Sequence, residues 1–415
     1  MFIGIDDTDS EKGLCTTYLA AVLMERLRSL GEVKGFPKLI RLNPCARFKT
    51  RGNAAISFEL ESDRPEDVKE EAIQAVLELS DFSGVNTNPG LVVAERVTPR
   101  MEAFYRRALT EILEIQEARD LLDEEGIWHR GFKKGRGLIG ALAAIGATLP
   151  DFTYELIVYR ERQRWSTPRV IDSESVWEAD ERTYPDTWDT VDRQSGRVVF
   201  APHSGDPVLF GIRGRDPDVL ETAFRTIRSE PSERRVLYIT NQGTDSHILD
   251  GEIALVREDQ SYRLRGSVAG EPRAIAGGHL FFTLQDGGSA LNCAAFEPTK
   301  GFRSIVKLLR PGDEVEVYGA VRDETLNLEK INILRLAEQH IHIVPACPIC
   351  GRRMESAGRG QGYRCRRCKT HAEGRKREVA DRELETGFYE VPPSARRHLA
   401  KPLVRMMGVR THPSR

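Results

Sequence analysis

The sequence has no run of eighteen or so apolar residues anywhere in its 415 positions, so no membrane-spanning helix is expected. Its start, MFIGIDDTDS, carries acids where a signal peptide needs a basic region and a longer apolar stretch, which points to the cytoplasm. Cysteine is scarce: there are seven, and Cys15, Cys45 and Cys293 are scattered, which excludes a disulfide framework. The phosphate-loop pattern GxxxxGK[ST] is missing, as are long repeats and low-complexity segments. What is present is an ordinary globular balance, 40% apolar and 30% charged residues, in a chain long enough for two to four domains. The net charge of −2 hides an asymmetry, because from Arg352 onward 17 Lys and Arg face 7 Asp and Glu. A tail of net +10 on an acidic body suits a polyanion partner, though a solvated tail would look the same.

Hydropathy patterning divides the chain. The first half alternates strands and helices: FIGI as a strand, Thr16–Leu30 as a helix with Leu19, Leu23 and Leu27 on one face, and strands at 39–42 and 54–60. Helices over 65–79 and 99–125, a small-residue helix LIGALAAIGA, and strands YELIVYR and PVLFGI continue an α/β or α+β pattern. From about Val236 the pattern becomes short strands separated by Gly-rich turns. Five of them, with the helix RSIVKLL between the third and fourth, match the Greek-key barrel called the OB-fold.

Three motifs carry chemistry. Cys347-Pro-Ile-Cys350 and Cys365-Arg-Arg-Cys368 have the spacing of a four-thiolate structural zinc site, with no open position for catalysis. Its hairpin carries Arg352, Arg353, Arg366 and Arg367, which suit phosphate contacts. Asp6, Asp7 and Asp9 crowd the turn after the first strand and would repel one another without a cation, for which Mg2+ on nucleotide phosphates is the natural candidate. The alternative is that Asp9 or Ser10 caps a helix and the others are solvated. Two basic loops could hold phosphates: Lys49-Thr-Arg51-Gly-Asn, and Gly131 to Gly137 with Lys133, Lys134, Gly135 and Arg136 at a helix start. Gly135-Arg-Gly137-Leu-Ile-Gly140 formally fits GxGxxG, but no clear strand precedes it, so it is not taken as a dinucleotide fingerprint. In the barrel, Phe281 and Phe282 fall in the second strand, and only one of them can face RNA while the other packs. Arg396, Arg397 and Lys401, on a helix-like stretch, join the ribbon arginines as expected phosphate contacts.

Taken in order along essentially the whole chain, GIDDTDS, Leu14-Cys-Thr-Thr-Tyr-Leu19, Gly35-Phe-Pro-Lys-Leu-Ile-Arg-Leu-Asn-Pro44, the Lys49 to Asn53 loop, GRGLIGALAAIGA, Pro202 to Gly214 and the final ribbon resemble the archaeal tRNA-isoleucine agmatidine (2-agmatinylcytidine) synthetase family. The resemblance implies an ATP-dependent ligase for tRNA modification. Such an enzyme attaches agmatine to carbon 2 of the wobble cytidine in a CAU anticodon, after phosphorylating the carbonyl oxygen there. It also implies a multidomain fold: a kinase-like α/β region over 1–195 interleaved with a ferredoxin-like domain, which 196–235 completes. An OB-fold over 236–340, a zinc ribbon over 343–372 and a basic tail over 373–415 follow. On this reading Asp6, Asp7 and Asp9 hold the metal, and Lys49, Arg51, Lys133, Gly135, Arg136 and Gly137 bind ATP. Thr16 accepts a phosphoryl group, where the bare sequence would make it a helix cap. Asp206, Asp189 and Tyr184 are expected around the agmatine cation and its methylenes. A non-enzymatic RNA-binding protein, or another ATP-dependent RNA kinase or ligase, are the competing readings.

Overall fold

The computed structural model describes residues 1–10, 13–47, 54–205 and 207–407. The first half builds one nine-stranded sheet. Strands β1 (Phe2–Asp6), β2 (Glu32–Arg41), β3 (Ala54–Glu61), β4 (Gly90–Ala94) and β5 (Trp128–Gly131) are interleaved with helices α1 (Thr16–Arg26), α2 (Pro65–Leu79), α3 (Pro99–Thr110), α4 (Ile115–Glu124) and α5 (Gly137–Ile145). Then come β6 (Thr153–Arg160), α6 (Ser173–Thr183), β7 (Thr187–Trp188), β8 (Val191–Asp192), β9 (Arg197–Val198), β10 (Val208–Gly214), α7 (Pro217–Thr226) and β11 (Ser232–Thr240). The sheet order is β5-β4-β1-β3-β2-β11-β6-β10-β7. Its two halves meet at a short parallel pairing of β2 with β11, Ile239 opposite Lys38 and Thr240 opposite Leu39.

Alternation along the strands explains the layers. Ile3 and Ile5 face α1 and α2, while the other side of β1 lies under α5. Helix α5 reads LIGALAAI and is buried on nearly every side, as its composition requires. It sits so close to β1 that a side chain on Gly4 would overlap the Ala141 carbonyl. Strand β2 begins at Glu32, well before the stretch that its pattern suggested. A register shift between Lys34 and Lys38 breaks the period-two signal around Gly35 and Pro37.

The barrel follows. It comprises β12 (Ile248–Asp250), β13 (Ser261–Val268), β14 (Arg273–Ala274), β15 (Leu280–Asp286), β16 (Ser289–Ala295), α8 (Gly301–Lys307), β17 (Glu314–Arg322) and β18 (Thr325–Arg335). The ring β13-β17-β18-β16-β15 closes through Val268 opposite Leu284, with α8 between the third and fourth barrel strands, the expected OB-fold. The ribbon is framed by β19 (His340–Ile343) paired with β23 (Lys376–Val379), and holds β20 (Glu355–Ser356), β21 (Tyr363–Arg364) and β22 (His371–Ala372). Over its described residues, 373–407, the expected basic tail is not a tail. After β23 the chain adds β24 (Gly387–Glu390) to barrel strand β18, then runs back over the first half as a strap ending in α9 (Leu403–Met407). Arg396 and Arg397 are not helical, since a 3-10 turn ends at Ala395 and Arg396 is extended. Among the described residues no helix is long and apolar enough to cross a membrane.

Candidate functional site

The acid turn leaves β1 at Asp6, and its three aspartates part company. Asp6 packs half-buried under α5, where a side chain at Gly140 would overlap its carboxylate. Burial, with Asp7 and Asp9 nearby, holds the Asp6 carboxyl well above the usual carboxylate range. Asp7 adopts a positive φ of 59° and takes an ion pair from Arg136 at 3.1 Å. Burial pushes Asp7 up to about 7 in spite of Arg136, and the Asp9 charge adds to the rise. Asp9 faces a different space, the wall of a cleft described below. The three acids therefore do not form one cage, and among the described residues only the four ribbon cysteines cluster as metal ligands. Asp7 fits Mg2+, which takes one or two carboxylates and keeps waters and phosphate oxygens, because its burial and the nearby Asp9 charge both favour a bound cation. Asp6 lies against Gly137 and Gly140, whose lack of side chains makes room for it.

A segment that sequence reasoning missed braces this turn. Residues 81–88 wrap it through the Ser10 hydroxyl on Asp81 at 2.6 Å and the Thr87 hydroxyl on the Asp9 carbonyl at 2.7 Å. The same segment receives the basic loop: the Lys133 ammonium donates to the Gly84 carbonyl at 2.5 Å, and Arg136 donates to the Asn86 carbonyl at 3.0 Å. Carbonyl oxygens come with every residue type, so nothing in DFSGVNTN announces the role. Two expected ATP contacts are corrected. Gly137 donates its N–H to the Asn88 carbonyl and packs against Gly90 and Asp6, and Gly135, at φ 69°, packs on Gly131. These glycines permit close approach and do not present an open helix start to an anion. A strand, β5, does precede the GxGxxG stretch, but it pairs antiparallel with β4, which frames no dinucleotide unit. Lys49 and Arg51 lie outside the described residues.

Thr16 opens α1, but it caps nothing: Cys15 is the N-cap residue and its side chain makes no capping bond. Instead the Thr16 oxygen accepts from the Thr8 hydroxyl at 3.0 Å. It lines a cleft of about 380 Å³ on the sheet, across the junction of the two halves, together with Asp9, Arg41, Glu155, Phe200 and Arg213. Tyr238 fixes this end of α1 by donating from its hydroxyl to the Thr17 carbonyl at 3.0 Å. Arg41 is half-buried in the cleft wall, and burial pulls it down to about 10. The cleft thus offers a hydroxyl, a carboxylate from the acid turn, two guanidinium groups and an apolar wall.

Other expected residues fall elsewhere. Tyr184 and Asp189 line a cavity of only about 30 Å³ beneath the strap, room for about one water and not for agmatine. The Asp189 carboxylate already meets Arg213 at 3.5 Å and Arg396, one on each oxygen. Asp206 lies outside the described residues, while Ser204 and Val208 on either side of it line the large cleft. Phe282 is in the barrel core and Phe281 is on the opposite face, edge-on to the half-exposed Phe296 at 6.2 Å. The ribbon arginines Arg352, Arg353, Arg366 and Arg367 are exposed. Arg396 is not: its side chain is 4% exposed and paired with Glu390 at 2.7 Å. Arg397 reaches the buried Glu329 and Lys401 reaches Asp151 at 2.8 Å, so all three are engaged in ion pairs within the fold. The four thiolates lie within 4.8 Å of one another, as tetrahedral Zn–S bonds of about 2.3 Å require. Positive φ at Gly351 and Lys369 turns each knuckle, and the amides there donate back to the Cys347 and Cys365 carbonyls.

Comparison with known proteins decides the family. Residues 2–63 match the TiaS TCKD domain, 135–247 the TiaS FLD domain, 262–332 the OB-fold nucleic acid binding domain and 344–384 the TiaS C-terminal zinc ribbon domain. The tRNA 2-agmatinylcytidine synthetase TiaS of Methanosarcina mazei is 49% identical over 428 residues, with all of both chains covered. That of Archaeoglobus fulgidus is 50% identical over 409 residues, covering 98% of this chain and 97% of its own. The chain belongs to the TiaS family of isoleucine-tRNA 2-agmatinylcytidine synthetases. Among solved structures, the complex of TiaS with its isoleucine tRNA, AMPCPP and agmatine superposes with a TM-score of 0.89 at 46% identity, covering 100% of this chain and 99% of that one. The apo enzyme gives 0.93 at 48%, with the same coverage.

Proposed function

We infer that this synthetase joins agmatine to carbon 2 of the wobble cytidine of its isoleucine tRNA at the expense of ATP. The observation that carries the chemistry is the position of Thr16 and Asp9: both line the open cleft, one turn of chain away from the Asp7–Arg136 pair. ATP phosphates are read as lying on the Asp7 side, where Mg2+ held by Asp7 and Asp9 would neutralise charge. Arg136 restrains Asp7, and Lys134, exposed beside it, is placed to meet a phosphate. Thr16 relays the phosphoryl group or orients it. The cleft on its other side takes the cytidine and the amine. A carbonyl oxygen is a poor leaving group. Once phosphorylated it departs as phosphate when the agmatine nitrogen attacks carbon 2, and Arg41 and Arg213 stabilise the charge that develops. Asp206 is proposed to receive the guanidinium of agmatine, since both flanking stretches line the cleft. The kinase-like and ferredoxin-like descriptions belong to the two halves of the nine-stranded sheet in this reading. The ribbon arginines and Phe281 are assigned to tRNA, as phosphate contacts and a stacking face.

Mass spectrometry of the anticodon nucleoside after incubation with ATP and agmatine tests this directly. A mass gain equal to agmatine less water is expected. An unmodified nucleoside would favour an RNA-binding role, and a stable phosphorylated one another kinase.

A further inference from the structure

We infer that the strap following the ribbon completes the reactive cleft, and that His398 is the positioning residue that aims Arg213 into it. The inference rests on assigning the cleft to the cytidine and amine chemistry. His398 lies far from the cleft in sequence yet forms part of its wall. Its Nδ1 sits 2.6 Å from a terminal nitrogen of Arg213. A guanidinium can only donate, so Nδ1 must be the accepting lone pair, with any ring proton on Nε2. The rest of the Arg213 fork is held by Glu155 at 3.2 Å and by Asp189 at 3.5 Å. His398 is the third partner, and it fixes the remaining terminal nitrogen of the fork against the cleft wall.

The strap is built to keep His398 in place. Its backbone carbonyl accepts from Gly243 at 2.8 Å, and the next carbonyl, of Leu399, accepts from Asp245 at 2.8 Å. On one side Ser394 donates to Asp192 at 2.5 Å and Arg396 pairs with Asp189 and Glu390. On the other, Lys401 at 2.8 Å and Arg405 at 2.7 Å clasp Asp151. Asp189 is shared between Arg396 and Arg213, so seating the strap and orienting Arg213 are one event. The segment that leaves the RNA-facing ribbon thus delivers part of the wall where the reaction occurs.

The test uses the full-length zinc-loaded enzyme, saturating isoleucine tRNA and ATP, and the variants His398→Leu, His398→Asn and Arg213→Ala. His398→Leu should lower kcat about 10- to 100-fold, with the KM for agmatine and ATP changed about threefold or less, the signature of a misaimed group. His398→Asn should recover most of that loss, because its amide oxygen can stand where Nδ1 stood. Thermal unfolding sets the assay temperature well below the melting point of each variant, which separates rate from fold. A His398→Leu enzyme within twofold of wild type, or a His398→Asn enzyme as slow as His398→Leu, overturns the proposal. If Arg213→Ala is slow while His398→Leu is not, the strap inference alone fails. If Arg213→Ala is also unimpaired, the cleft assignment fails with it.

Discussion

The acid turn at Asp6 to Asp9 and the junction where the barrel meets the strap are both buried and charged, yet their carboxylates are held in opposite states. At the turn, burial and crowding raise Asp6, and raise Asp7 to about 7, with Arg136 the nearby cation. At the junction, burial of Glu329 works the same way but is overcome by His247, at 3.2 Å, and by Arg397, which together bring it down to about 2. Beside it Lys330 is clasped by Asp245 and the Lys401 carbonyl, the latter at 2.8 Å. A buried charge surrounded by partners holds elements together. One left under-compensated has a site waiting for a ligand. The junction joins barrel, strap and sheet, and the turn is where we propose that ATP meets the cleft.

Neutralising one carboxylate in each cluster should break this symmetry most sharply. Asp7→Asn should reduce the agmatinylation rate by about 10²–10³-fold, since it removes a charge placed for the transferring phosphoryl group. The ligand-free fold at pH 8 should be unharmed or gain roughly 1–3 kcal/mol, because an unfavourable buried charge is gone. Glu329→Gln should do the reverse, costing about 3–5 kcal/mol in denaturant unfolding by stranding His247 and Arg397, while the rate of the remaining folded enzyme falls less than about tenfold. Similar stability losses in both variants would remove the distinction.

A smaller effect probes Asp6 through its wall. Gly140→Ala introduces a methyl group where the Asp6 carboxylate already lies. Overpacking of this kind costs about 1–3 kcal/mol. The displaced acid turn should slow turnover about tenfold more than Gly270→Ala, whose added methyl group would meet nothing within 4 Å and whose backbone is not left-handed. Equal rates for the two alanine variants would show that Asp6 is not coupled to the reaction.

The pH dependence should also run in opposite directions. Asp7 binds its proton more tightly folded than unfolded, so stability declines as pH rises from its ordinary 3.8 toward about 7. Glu329 binds its proton less tightly when folded, so its contribution is complete above 4.5 and is lost as pH falls toward about 2. Denaturant titrations across pH should therefore show wild type falling away from Asp7→Asn as pH rises through the first window, and converging on Glu329→Gln as pH falls through the second. Parallel curves in either comparison would reject the corresponding assignment.

How much of this was legible in the sequence depended on how local each signal is. The ribbon was, because four thiolates and their turns fall within 22 residues, Cys347 to Cys368. The barrel was, because period-two alternation marks each strand. The acid turn was located but misassembled: spacing put three carboxylates together, whereas the close approach of α5, through Gly137 and Gly140, sends Asp6 inward. The strap was invisible, because Arg396 and its partner Asp189 lie 207 positions apart and charge counting cannot tell a paired arginine from a free surface one. The segment 81–88 was missed because it receives the basic loop through backbone carbonyls, and its Asp81 and Thr87 side chains act on residues more than 70 positions away.

That last confusion yields the finest test. The sequence grouped Arg352, Arg353, Arg366 and Arg367 with Arg396 as one phosphate-binding set, and the structure divides them. The first four are exposed, and Arg366 has only a surface pair with Glu355 at 2.5 Å, itself worth less than about 1 kcal/mol. Each ribbon alanine variant should weaken tRNA binding by about 1 kcal/mol or less, and should lower the slope of log affinity against log salt by about one. The melting temperature should not move. Arg396→Ala should leave that slope at the wild-type value, because a side chain locked between Asp189 and Glu390 releases no counterions from RNA. It should instead destabilise the strap. Filter binding over a salt series, alongside thermal unfolding, separates the two. A shallower slope for Arg396→Ala would mean that the strap lifts off to meet the RNA, and the division between holding charges and waiting charges would have to be redrawn through the strap itself.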